Sequence, residues 1–160
     1  MIGVLAAITE PERFAKLVLV GPSPCYINDG DYVGGFTQQD IAELLDTLES
    51  NYLGWSHAMA PVIMGNPDRP ELTQSFCRTD PAIARQFARV TFLSDNRTDL
   101  PLVRTPAFSQ DVIAPQEVGA YVQRHLTGSR LVTLQATGHC PNLSAPAETT
   151  AAIQAFLSDT

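Results

Sequence analysis

The stretch from Asp111 to His139 constrains the fold more than any other part of the chain. An aspartate precedes a helix that opens at Pro115, runs to Leu126 and is closed by Gly128. The strand-like run Arg130-Leu-Val-Thr-Leu-Gln-Ala136 follows, and then a histidine in the loop Thr137-Gly-His-Cys-Pro141. In a parallel sheet the loops at the carboxyl ends of the strands share one edge, so Asp111 and His139 are expected side by side. A carboxylate that holds an imidazole in one tautomer supplies two members of a nucleophile–base–acid triad. No convincing nucleophile accompanies them.

Length and composition bound the alternatives. With 160 residues, 44% apolar and 17% charged, the chain is expected to be one globular domain with a sizeable core. A net charge of −7 argues against a nucleic-acid partner, which needs a basic face. No apolar run reaches membrane length, since Pro11, Lys16 and Pro22 break the longest ones. Cys25, Cys77 and Cys140 are widely spaced and form no Cys-x-x-Cys pair, which disfavours zinc and disulfides and suggests a reduced, cytoplasmic setting. The carboxylates Glu12, Asp40, Glu43, Glu49, Asp95 and Asp99 are scattered over a solvated surface, so no metal or other cofactor is expected.

Residues 2–8 suggest a helix without an opening cap, hence a truncated element, ended by Thr9-Glu10-Pro11. Lys16-Leu-Val-Leu-Val-Gly21 has the continuous apolar character of a parallel strand buried on both faces. After a loop over 28–36, Thr37 is placed to cap a helix, with Asp40 completing a capping box. Ile41, Leu44, Leu45, Leu48, Tyr52 and Trp55 form an amphipathic stripe, and a second helical patch spans residues 54–64. Glu71 and Pro81 open two further helices, the last with Ile83, Phe87, Val90 and Leu93 as its apolar positions. Residues 37–93 are thus expected to form a helical lid inserted between core segments 1–36 and 94–160. Ahead of Asp111 only Ala107 and Phe108 separate Pro106 from the polar Ser109 and Gln110, too few for a normal buried strand. Pro146 to Leu157 is expected to be a final amphipathic helix.

Other reactive side chains fit ordinary structural roles better. Ser23 lies between Pro22 and Pro24, which suits a turn. Cys140 beside His139 suits a small buried hydrophobe, because adjacent loop residues seldom point the same way. His57 and His125 sit in helices among polar neighbours. Asp111 could itself be a helix N-terminal residue, and His139 a loop histidine bonded to backbone.

Several motifs in order resemble one family. Gly21-Pro-Ser-Pro-Cys-Tyr-Ile-Asn-Asp29, the Tyr32-x-Gly-Gly-Phe36 loop, Asn51-Tyr-x-x-Trp55, Asp80-Pro-x-Ile-Ala-Arg-Gln-Phe87 and Gly138-His-Cys-Pro-x-Leu-Ser144 resemble the RsbQ branch of the α/β-hydrolases, close to the plant karrikin and strigolactone receptors. The resemblance spans essentially the whole chain. It implies a partial α/β-hydrolase fold: a remnant of the parallel sheet beneath a V-shaped, four-helix lid. By motif match Asp111 is the triad acid and His139 the base. The serine elbow, the oxyanion loop and the first strands would then lie upstream of residue 1, leaving this chain inactive by itself, with a local deletion before Asp111.

The resemblance further implies a serine hydrolase of small apolar esters or lactones in its complete form. Phe36, Trp55, Met59, Phe76, Phe92 and Val112 become ligand-binding candidates, although each could instead pack the lid helices together. The competing implication is a ligand-sensing regulator of a stress sigma-factor pathway, acting through a protein partner. The exposed edge of the Lys16–Val20 strand is expected to promote self-association.

Overall fold

The computed structural model describes residues 1–65, 70–111, 116–136 and 138–159, with the backbone alone at Gln110, Asp111 and Gln116. Chain order is α1 (Ile2–Thr9), β1 (Leu17–Val20), α2 (Gln38–Ser50), α3 (Tyr52–Met64), α4 (Glu71–Arg78) and α5 (Pro81–Leu93). It continues through β2 (Ala107–Asp111), α6 (Gln116–His125), β3 (Arg130–Thr133), α7 (Pro141–Ser144) and α8 (Pro146–Ser158). The strands form a parallel sheet in the order β1-β2-β3, with Leu17 opposite Ala107, Val20 opposite Gln110 and Asp111 opposite Thr133.

Helices cover both faces, as a parallel sheet requires. On one face, Val4 and Ala7 of α1 and Val122 and Leu126 from α6 and its end join Leu17, Leu19 and Ala107 in one buried cluster. On the other, fully buried Phe108 stacks on Phe156 of α8 with ring centroids 5.3 Å apart. Burying a phenylalanine side chain in this way is worth about 2–3 kcal/mol. Lys16 closes the carboxyl end of α8, its Nζ donating to the carbonyls of Phe156 and Leu157, each at 3.0 Å, and of Asp159.

The strand ahead of Asp111 forms over five residues, running through Ser109 and Gln110 instead of stopping at Phe108. Strand pairing on both sides explains the difference, because a central position can extend a strand through polar residues. Ser109 is wholly buried, and its hydroxyl has no hydrogen-bond partner among the described residues. Such a group costs about 1–3 kcal/mol, which the surrounding ladder offsets.

Helices α2 to α5 lie between β1 and β2 in sequence. Thr37 and Asp40 form the capping box in both directions: the Asp40 amide donates to Thr37 Oγ1 at 3.1 Å, and the Thr37 amide to Asp40 Oδ2 at 2.7 Å. The apolar stripe from Ile41 to Trp55 crosses a break at Asn51, whose Oδ1 accepts from the Gly54 amide at 3.0 Å and starts α3. Ile41, Leu45, Leu48, Tyr52 and Ala88 form the core of this block, with Ala84 and Phe92 of α5 packed against it.

That packing reverses the expected orientation of α5. Ile83, Phe87, Val90 and Leu93 are 63%, 61%, 62% and 51% exposed. The helix carries two apolar stripes, and the one with alanines at 84 and 88 admits close approach to α2. Arg97, just beyond α5, pairs with Asp95 at 2.6 Å and Asp29 at 2.7 Å and lies over the Tyr32 ring, 4.8 Å from its centroid. It thereby fastens the 28–36 loop to the chain leaving the lid.

Candidate active site

His139 is held from two sides. Its amide donates to the carbonyl of Ile63 at 2.6 Å, which is one of the free acceptors at the carboxyl end of α3. Gly138 has φ +78°, and a Cβ added there would overlap the carbonyl of Met64. Only glycine lets the two backbones meet in this way. From the other side the imidazole rests against Gly21, the residue that follows β1. A Cβ on Gly21 would stand 2.9 Å from His139 Cε1 and 3.2 Å from Nδ1. Gly21 itself has φ +57°, so both its conformation and its lack of a side chain make room for the ring.

Asp111 is the last residue of β2, and β2 lies between β1, which ends beside Gly21, and β3, which leads to His139. The three segments therefore reach the same edge of the sheet. The side chain of Asp111 and the whole of Val112 lie outside the described residues.

The aromatic ligand candidates fall into two groups. Trp55 stacks between Phe76, at 5.7 Å, and Tyr52, at 6.5 Å. Phe36 and Phe92 both meet Tyr26, at 6.5 Å and 5.0 Å. Trp55 and Phe92 also pack on the core of α2–α5, so each contributes to lid packing whatever else it does. Trp55, Met59, Phe76 and Phe92 are half-buried, and Phe36 is 36% exposed. Neither Gly21 nor Tyr26 stands out in the sequence as more than a strand stop and a loop residue. A glycine at the carboxyl end of a parallel strand was the available signal for the first.

The remaining reactive groups have surroundings of their own. Ser23 Oγ donates to the carbonyl of Cys25 at 2.9 Å, inside its turn. Cys140 is half-buried, and burial pushes its thiol up from the usual range, away from the nucleophilic thiolate. His125 stacks on Tyr121 at 3.9 Å. Among the described residues no three His, Cys, Asp or Glu side chains converge as metal ligands would, and no helix is long and apolar enough to cross a membrane.

The chain is similar to known proteins. A strigolactone esterase of Arabidopsis thaliana is 42% identical over 157 residues, covering 92% of this chain and 58% of that protein. A karrikin insensitive 2 receptor of Petunia hybrida is 39% identical over 155 residues, covering 91% of this chain and 57% of its own length. The solved structure of a hydrolase from Oleispira antarctica superposes with a TM-score of 0.93 at 36% identity, over 99% of this chain and 62% of that one. The chain thus spans less than two thirds of the length of each of these three proteins. No family model matches it. Sequence kinship to two receptor and esterase lines, and the layered parallel sheet held in common with a solved hydrolase, make this chain a member of the α/β-hydrolase family, related to the karrikin receptors.

Proposed function

We propose that this chain carries the acid and base of a serine hydrolase acting on a small apolar ester or lactone. Asp111 orients and stabilises the imidazolium of His139, which takes the proton from a serine and returns it to the leaving group. In this reading the serine and the oxyanion donors come from outside residues 1–160, which span 58% of the strigolactone esterase they match. Trp55, Met59, Phe76, Phe36 and Phe92 form the apolar side of the ligand site. The free thiols of Cys25, Cys77 and Cys140 suit a reducing cytoplasmic setting.

One observation carries this reading. The His139 imidazole lies over Gly21 at the carboxyl end of β1, one strand from the end of β2 at Asp111. In open parallel sheets, ligands bind at that edge.

The test joins this chain to the part of the Oleispira antarctica hydrolase that it does not match. Hydrolysis of a nitrophenyl ester is expected, falling by roughly a thousandfold or more in His139→Ala and Asp111→Asn. Turnover indifferent to both substitutions sinks the assignment.

A second reading draws on the exposed stripe Ile83, Phe87, Val90 and Leu93 of α5. An apolar face of that length on an otherwise acidic protein suits contact with a regulatory protein, the hydrolase site then serving as a ligand sensor. Phe87→Asp would abolish such a contact and leave ester turnover unchanged.

A further inference from the structure

The lid holds a pair of reactive groups that the hydrolase reading leaves unused. His57 on α3 and Cys77 near the end of α4 face each other across the helix pair, with Nε2 3.7 Å from Sγ. His57 is exposed and Cys77 half-exposed, so small molecules reach both. Among the described residues, neither of the other two thiols has an imidazole partner. Cys25 is 6% exposed, with its Sγ turned to the carbonyl of Ile27 at 3.5 Å. Cys140 is half-buried, as Cys77 is, but burial pushes its thiol up from the usual range. Among the described residues, Cys77 alone has its sulfur within reach of an imidazole.

We propose that the Cys77–His57 pair is a modification site that accepts half of a small-molecule disulfide of the glutathione type. With the imidazole proton on Nδ1, Nε2 is free to take the proton from the Cys77 thiol. The thiolate then attacks one sulfur of the disulfide. The S–S bond of the reagent breaks, a new S–S bond forms to Cys77, and the departing thiolate takes the proton back from His57. The reagent supplies the oxidising equivalent and is itself reduced to one thiol, so the exchange balances without a further reactant.

The surroundings give the modification a consequence. The neighbour of Cys77, Phe76, stacks on Trp55, and its carbonyl accepts from the Tyr52 hydroxyl at 2.8 Å. A bulky, charged adduct on Cys77 therefore loads the seam between α3 and α4 beside the aromatic group proposed to face ligand. Local redox state would thereby bear on the lid independently of the sheet-edge chemistry.

The experiment incubates the intact chain with glutathione disulfide at pH 7 and maps the adducts by peptide mass. Cys77 is expected to be modified at least tenfold faster than Cys25 or Cys140. His57→Ala is expected to slow Cys77 at pH 7 by about fivefold or more, with wild-type and variant rates converging at high pH, where hydroxide removes the proton instead. His57→Gln, which accepts a hydrogen bond but takes up no proton, should behave as His57→Ala does. First modification at Cys140, or a Cys77 rate unmoved by both substitutions across the pH range, overturns the proposal. If a variant misfolds, the order of modification in the wild-type chain still decides.

Discussion

The His139 amide and the Ile63 carbonyl are 2.6 Å apart, so the loop that presents the imidazole is tied to the last turn of α3. A shift of that helix end therefore moves the histidine loop with it. The neighbouring Gly138 is what lets the two backbones touch. Gly138→Ala combines a Cβ at φ +78° with overlap on the Met64 carbonyl. Loss of about 2 kcal/mol or more is expected in urea unfolding. A near-neutral result would mean that the loop does not rest on α3 in solution.

Gly21 offers a different lever on the same ring. An added methyl at 2.9 Å from His139 Cε1 leaves no room for the imidazole in its present place. Gly21→Ala should shift the His139 ring resonances in NMR spectra, whereas Gly30→Ala, also at positive φ but with open space around it, should leave them unmoved. Equal responses would separate the ring from the end of β1.

Lys16 joins the start of β1 to the end of α8 through three carbonyl acceptors. A cation at a helix carboxyl terminus also meets the negative end of its dipole. Lys16→Met keeps most of the aliphatic stem and should cost about 1–2 kcal/mol, read from thermal or urea unfolding. An unchanged midpoint would show that the clamp contributes nothing.

Tyr32 makes stability fall at alkaline pH. Burial, foremost, with Cys25 nearby, pushes its hydroxyl up to about 12, while the hydroxyl donates to the Cys25 carbonyl at 2.8 Å. In the unfolded chain it ionises near 10. Below that pH both states keep the proton and the contribution is intact. Above it the unfolded state ionises first, so stability drains away until the folded tyrosine follows at about 12. Unfolding free energies between pH 9 and 12 should show this decline, and Tyr32→Phe should flatten it.

Among the described residues β1 pairs only with β2, and Val20 at its end is 40% exposed. Such an edge recruits further strands, and a charged side chain blunts it. Sedimentation at rising concentration is expected to show association, diminished by Val20→Lys. A monomer at every concentration would remove the edge as a contact site.

What the sequence disclosed was whatever short range controls. The capping box of Thr37 and Asp40 needs only its own turn, and Pro81 with Asp80 likewise marks the start of α5 unaided. The helix and strand that lead to Gly138-His139 were legible for the same reason, since periodicity and punctuation are local.

Tertiary contact decided the rest. On α5 two stripes compete, and hydropathy favours Ile83, Phe87 and Val90. Closeness to α2 favours Ala84 and Ala88, and that choice exists only once the helices meet. Ser109 and Gln110 are strand residues because neighbours on both sides supply hydrogen bonds that no local preference encodes. The fit of an imidazole into the space that Gly21 leaves joins residues 118 positions apart in sequence, and only the closed sheet brings them together.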